Sequence, residues 1–225
     1  MVFPYFYGYK TDGIFQNQAE VDAYVNSKGE KLQPTAQPGD VRFVNFNNDD
    51  MISDADKTKI GKGMPDWTYG LTLDGEWKNF DLNLFFQGTV GNDVFDFSQR
   101  GDIPAMNRPS WILNRWNGEG TSDYLPRMTT ANPNSNWRSS DLYIKDGSYL
   151  RLKSSQLGYT LPQKWSKTAS VEKFRVFVLA ENLLTLTKYD GFDPEVASGG
   201  YTTNGIDRGV YPQARTISIG ANIIF

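Results

Sequence analysis

The chain has 225 residues, with 23 Lys plus Arg against 26 Asp plus Glu and a formal net charge of −3. It holds no cysteine and no histidine, which excludes a disulfide scaffold, thiol chemistry, Ser-His-Asp and Cys-His catalysis, and the usual zinc ligands. No basic patch marks a nucleic-acid partner, and the strongest apolar run, Phe174 to Ala180, falls far short of the ~20 residues a membrane-spanning helix needs.

The 21 glycines and a 14% aromatic content suit strands and turns. At the start, Val2-Phe3-Pro4-Tyr5 lacks the charged residues, apolar core and cleavage site of a secretory signal, so the chain reads as a piece of a longer protein. Residues 45 to 56 then place oxygen-bearing groups at the spacing of a twelve-residue EF-type loop. Asn45, Asn47 and Asp49 take positions one, three and five, the Met51 carbonyl position seven, Ser53 nine and Asp56 twelve. Asn45 for the usual Asp, Asp50 for the usual Gly and Asp56 for the longer Glu depart from that pattern. Two readings stand: one structural Ca²⁺, or an Asn/Asp-rich turn held by its own side chains.

From Trp67 the residues alternate. Trp67, Tyr69, Leu71, Leu73 and Trp77 share one phase, and Thr68, Thr72, Asp74 and Glu76 the other. After a break at Lys78-Asn79, Phe80, Leu82, Leu84 and Phe86 resume the apolar phase, which predicts a β-hairpin. Each run has about the 9–11 residues of a tilted strand crossing a bilayer. Aromatics near both ends fit the two belts of a lipid-facing wall; a sandwich hairpin with one buried face fits this pair of strands as well. Residues 91–141 carry no sustained period and read as a long loop with a short helix around Pro109 to Trp116. Strand pattern returns from Leu142 to Leu161, with a phase change between Leu152 and Leu157 that predicts a bulge. The link Pro162 to Glu172, a strand from Lys173 to Leu186 and a glycine-rich loop over 188–211 follow. The last strand, Arg215 to Phe225, presents Ile217, Ile219, Ala221, Ile223 and Phe225 on one face.

Five strands whose connections alternate tight, long, short, long describe an all-β, antiparallel up-and-down meander between two unlike environments. Five cannot close a transmembrane barrel, so the last strand is expected to need a further partner. The expected organisation is a loop region over 1–65 containing the Asn/Asp loop, then barrel strands over 66–225 with outer loops at 91–141 and 188–211.

Several segments, in this order, resemble the C-terminal region of SusC/RagA-type TonB-dependent outer-membrane receptors. They are Tyr7-Gly8-Tyr9-Lys10-Thr11-Asp12-Gly13, Pro38-Gly39-Asp40-Val41-Arg42-Phe43, Pro65-Asp66-Trp67-Thr68-Tyr69-Gly70, Ser148-Tyr149-Leu150-Arg151-Leu152-Lys153, Leu157-Gly158-Tyr159-Thr160-Leu161-Pro162, Tyr189-Asp190-Gly191-Phe192-Asp193-Pro194-Glu195 and Tyr211-Pro212-Gln213-Ala214-Arg215. The resemblance implies a plugged barrel of about twenty-two strands in the bacterial outer membrane, powered through TonB. It also implies a SusD-like surface lipoprotein as partner and import of a glycan or peptide, with outer-membrane lipid around the wall. The aromatic end of the last strand resembles the signal by which barrel-assembly machinery recognises its clients.

On this reading no residue is catalytic, and Trp111, Trp116, Trp137 and Tyr201, all in the long loops, are candidate contacts for nutrient or lipoprotein. The alternative is a soluble, calcium-stabilised β-sandwich that binds carbohydrate. A carboxylate glycosidase would need converging acids, for which Asp93 with Asp96 or Asp190 with Asp193 are the candidates.

Overall fold

The computed structural model describes residues 5–98, 107–108, 110–166, 171–196 and 203–225. The first part of the chain holds β1 (Phe6–Gly8), β2 (Thr11–Ile14), the helix α1 (Gln18–Ala23), β3 (Val41–Phe43) and β4 (Thr58–Gly61). Then come the long strands β5 (Trp67–Trp77) and β6 (Phe80–Val90) and the short β7 (Asp93–Asp96) and β8 (Ile144–Asp146). Long β9 (Tyr149–Thr160) and β10 (Lys173–Thr187), two-residue β11 (Ile206–Asp207) and β12 (Thr216–Ile224) complete the chain.

The long strands form one antiparallel sheet in the order β12-β10-β9-β6-β5. This is the expected meander. The β5–β6 turn is the two residues Lys78-Asn79, and Lys78 takes a left-handed backbone (φ 55°). Positive φ at the first turn position matches the twist of the flanking strands. At the opposite end of the sheet, long connections join β6 to β9 and β10 to β12.

Pairing register carries the alternation across the sheet. Leu73 faces Leu84, Leu82 faces Leu157, Leu157 faces Val178, and Val178 faces Ile219. One side of the sheet is therefore a continuous apolar surface, and it lies open: Trp67 is 73% exposed, Leu73 48% and Ile219 82%. No second sheet of the described residues packs on it, as the β-sandwich reading would require. Trp77, Phe80 and Tyr159 line up at the tight-turn end, with the last two rings 4.7 Å apart. Trp67 and Tyr69 mark the other end. Trp67 and Trp77 are ten residue steps apart, which at about 3.3 Å per step and a 45° tilt gives roughly 23 Å between the two aromatic levels.

The other side of the sheet is mainly polar. Arg175 on β10 pairs with Asp81 on β6 across Gly158 of β9. The expected bulge lies at Lys153: Ser154 opposes Phe85 and Leu152 opposes Phe86, leaving one extra residue in β9. Asn182 (φ 52°) and Leu183 take up the mismatch in β10.

Three expectations about the connections change. The strand predicted from Leu142 is interrupted at Gly147-Ser148, where Gly147 N–H donates to Asn92 O and Gly91 N–H donates to the Ser148 hydroxyl. The preceding piece, β8, joins a different sheet. The predicted loop over 91–141 contains β7, which pairs with β8 and, in parallel, with β11 from the 188–211 connection. The two long connections thus meet in one three-stranded sheet. The helix expected near Pro109 to Trp116 is a 3-10 turn, Ser110–Asn114.

The segment read as a loop over 1–65 is built of short paired strands: β1 pairs with β4 and β2 with β3. Its core takes residues from distant sequence, with Tyr9, Ile14, Val41, Phe43, Leu142 and Tyr143 in one cluster. A buried polar chain ties it to the 91–141 connection. Asp40, fully buried, accepts from Arg127 Nε at 2.7 Å and Asn136 Nδ2 at 2.9 Å. Asn136 Oδ1 accepts from Val41 N–H, and Gln33 bridges Asn134 and the Phe43 N–H.

Candidate functional site

The loop layer above the wall encloses a pocket of about 320 Å³, within the size range of small-ligand sites. Three stretches build it. The 91–141 connection gives Asp96, Trp111, Tyr124 and Trp137, the stretch leading into β9 gives Leu142, Tyr143 and Lys145, and the β10–β12 connection gives Asp190, Phe192 and Asp207. Leu142 and Tyr143 are buried, and burial pushes the Tyr143 hydroxyl far above its ordinary range, so it stays neutral. Trp137 stacks on Tyr143 at 6.2 Å between ring centres, with the Arg108 guanidinium 4.7 Å from the indole. The Tyr124 hydroxyl donates to Leu142 O at 2.6 Å, which fixes its ring on the rim.

The rim carries an ion pair and two hydrogen-bonded carboxylates. Lys145 Nζ lies 3.2 Å from Asp190 Oδ2 and 5.4 Å from the Tyr124 ring centre. Burial pulls its pKa down, but Tyr124 and Asp190 outweigh burial and leave it above the ordinary value. Asp96 accepts from the Ser98 hydroxyl and N–H, and Asp207 accepts from the Tyr189 hydroxyl and from Gly209 and Val210 N–H. A pocket of this kind stacks on flat or CH-rich ligand faces and hydrogen-bonds at its rim. Of the acids proposed above for glycoside hydrolysis, Asp93 accepts from Lys62 N–H, Asp190 pairs with Lys145 and Asp193 with Arg151.

Of the four aromatics proposed as contacts, Trp111 and Trp137 come together in this pocket. Trp116 does not line it: its indole packs against Gly39 and its Nε1 donates to Gln16 Oε1 at 3.2 Å. Gly39 has φ +87°, and a Cβ there would collide with that indole. Tyr201 lies outside the described residues. Of the remaining pocket residues, Asp190, Gly191 and Phe192 lie inside a motif already noted for its resemblance, Asp96 and Asp190 stand among the candidate acids, and the rest carried no local signal for a pocket.

In the Asn/Asp loop most of the expected ligand oxygens bond inside the loop. Asp56, fully buried, accepts from Phe46 N–H at 2.8 Å with one oxygen and from Ser53 N–H at 2.7 Å with the other. Asn45 Oδ1 and Asn47 Oδ1 both accept from Asp49 N–H, and Asp49 accepts from Met51 N–H and Asn47 Nδ2. The Ser53 hydroxyl caps a single 3-10 turn. Among the described residues no group of three or more Asp or Glu side chains is arranged to hold a metal. In β12, Ile217, Ile219, Ala221 and Ile223 alternate onto the open apolar face, and Phe225 follows, 86% exposed.

An antiparallel meander with an open apolar face, aromatic rows at two levels and long connections at one end is part of the wall of an outer-membrane-type β-barrel. No protein-family model matches the chain. It is 33% identical over 98% of its length to TonB-dependent receptor P3 of Formosa agariphila, covering 22% of that protein. It is 28% identical over 84% of its length to TonB-dependent receptor SusC of Bacteroides thetaiotaomicron, covering 18% of it. The structure of the RagAB peptide importer in its open-open state superposes with a TM-score of 0.69, at 22% identity, over 98% of this chain and 22% of that one. Over nearly its whole length the chain is homologous to TonB-dependent receptors, SusC among them, and it spans about a fifth of the length of the curated relatives it matches. The fold is a partial barrel that resembles the barrel of RagAB.

Proposed function

We propose that the chain forms part of the wall and outer loops of an outer-membrane transporter that imports a nutrient, glycan or peptide, with energy from TonB and with a SusD-like lipoprotein at its outer face. The observation that carries this reading is the open apolar face bounded by aromatic rows, on a chain whose relatives are TonB-dependent receptors. Lipid covers that face, and the strands cross the membrane several times. The tight turn at Lys78-Asn79 faces the periplasm, and the connections over 91–141 and 188–211 are extracellular. Trp111 and Trp137 then line an outer pocket that meets nutrient or lipoprotein. Ile217, Ile219, Ala221, Ile223 and Phe225 serve as the assembly signal. TonB-dependent receptors are transporters rather than enzymes, and on this reading the pocket binds rather than catalyses.

Cell fractionation of the full-length protein tests the reading. It places the protein in the outer membrane, with a folded band that shifts on a gel only after heating. A soluble protein with no heat-dependent shift overturns it. Co-purification of a lipoprotein from the same cells tests the partner.

One structural Ca²⁺ in the loop over 45–56 is a separate proposal, supported by the clustering of Asn45, Asn47 and Asp49. Asp56, with both oxygens bonded to backbone N–H groups, weighs instead for a turn closed by its own side chains. Calorimetry with millimolar Ca²⁺ decides: heat that vanishes in Asp49→Ala supports the ion, and no heat rules it out.

A further inference from the structure

We infer that Arg151 is a positioning residue for the pocket: a buried clamp on the barrel wall that fixes the segment Tyr189–Glu195, and with it the pocket wall formed by Asp190, Gly191 and Phe192. The inference rests on the reading of that pocket as a contact for nutrient or lipoprotein. It deepens that reading by naming what holds the pocket in shape.

Arg151 lies on β9, on the polar side of the sheet, and is 3% exposed. Each arm of its guanidinium bonds a different partner. Nε donates to the Thr185 hydroxyl of β10 at 2.9 Å, Nη1 to Glu195 Oε2 at 2.9 Å, and Nη2 to Asp193 Oδ1 at 2.6 Å. Lys153, the bulged residue two positions on, donates to both Glu195 oxygens at 2.9 and 2.7 Å. Asp193, 6% exposed, accepts from Gln213 N–H at 2.8 Å with its second oxygen. One guanidinium thus joins two wall strands to the outgoing arm of the β10–β12 connection, and through Asp193 to its returning arm.

The clamped segment is pinned again at its start. The Tyr189 ring is buried against Val94 and Val196, and its hydroxyl donates to Asp207. Between these two fixings the backbone presents Asp190 to Lys145 and Phe192 to the pocket. A fork with fixed geometry holds a carboxylate pair in a way that a flexible ammonium does not. Cutting either side of such a pair leaves a buried charge without its partner, and the segment lifts toward water.

The test uses the full-length receptor on intact cells. Val196 directly follows the segment, packs with Val94 and Tyr189 and is 8% exposed, and the chain carries no cysteine of its own, so Val196→Cys reports lifting through its rate of maleimide labelling. Arg151→Met and, on the loop side, Asp193→Ala are each combined with it, and the heat-dependent gel shift confirms an assembled barrel. Labelling rises on the order of a hundred-fold in both, while a Val41→Cys reporter in the other core stays protected. Arg151→Lys gives an intermediate rate.

Unchanged labelling at Val196→Cys in both variants overturns the inference, as does an equal rise at Val41→Cys, which would mean general loosening. Growth on a peptide digest or a glycan digest is read separately. If labelling rises and growth is unchanged, the clamp stands and the reading of the pocket as a contact site falls.

Discussion

At Gly158 a single hydrogen atom in place of a side chain permits an ion pair. The residue lies in β9 between Asp81 and Arg175, and a Cβ there would sit on both the guanidinium and the carboxylate. Gly158→Val is expected to drive the pair apart and cost about 1–3 kcal/mol, read as a lower temperature of band conversion on the gel for the full-length receptor. Asp40 is the comparable residue in the loop layer. It is fully buried, and Arg127 and Asn136 both donate to it. Asp40→Ala leaves Arg127 without its carboxylate. Because Arg127 is itself partly exposed, the loss belongs near the low end of the buried-pair range, about 3 kcal/mol. Faster protease nicking between 127 and 136 in the folded receptor checks it.

Among the elements, the β10–β12 connection owes its position to charge more than to apolar contact. Burial would raise the Asp193 carboxyl, but the Arg151 guanidinium and the Gln213 and Glu195 N–H groups more than offset this and hold it below the ordinary range. A carboxyl depressed in the folded state stabilises above its unfolded value and loses that contribution as pH falls through the folded value. The clamp is therefore expected to hold at pH 5 and to loosen only below about pH 4. Val196→Cys labelling from pH 7 to pH 3.5, divided at each pH by the rate for the same cysteine in heat-unfolded receptor to remove the fall in thiolate, checks this; a rise in that ratio already complete at pH 6 would contradict it. β5, β6 and β12 were legible in the sequence because each has a two-residue period along its length, and β9 because its two halves alternate on either side of one phase change. β7 was not. Asp93-Val94-Phe95-Asp96 has two apolar residues, and its partners, Ile144–Asp146 and Ile206–Asp207, lie about fifty and more than a hundred residues away.

For the whole molecule, the open apolar face sets the environment. Leu73 lies near the middle of β5 on that face, and Thr72 beside it points to the polar side. If lipid covers the face, Leu73→Arg costs about 2–4 kcal/mol and Thr72→Arg far less. The fraction of assembled, heat-shifting receptor in the outer membrane checks the contrast, and equal loss from both would contradict a lipid-facing wall. Alternation, turn residues and aromatic spacing are local properties, so the sequence by itself determined the meander, its register phase, the bulge near Lys153 and the apolar face. The pocket, the Asp40 network and the Arg151 clamp join residues from distant stretches, in the first two cases more than a hundred positions apart. No period or spacing encodes such meetings, because each partner is chosen by what the folded chain brings within hydrogen-bond reach. Tertiary structure alone placed Trp111 and Trp137 on one pocket and set Trp116 against Gly39 instead. It also gave Asp193 and Glu195, which the sequence offered only as part of an acidic motif, their partner on the wall.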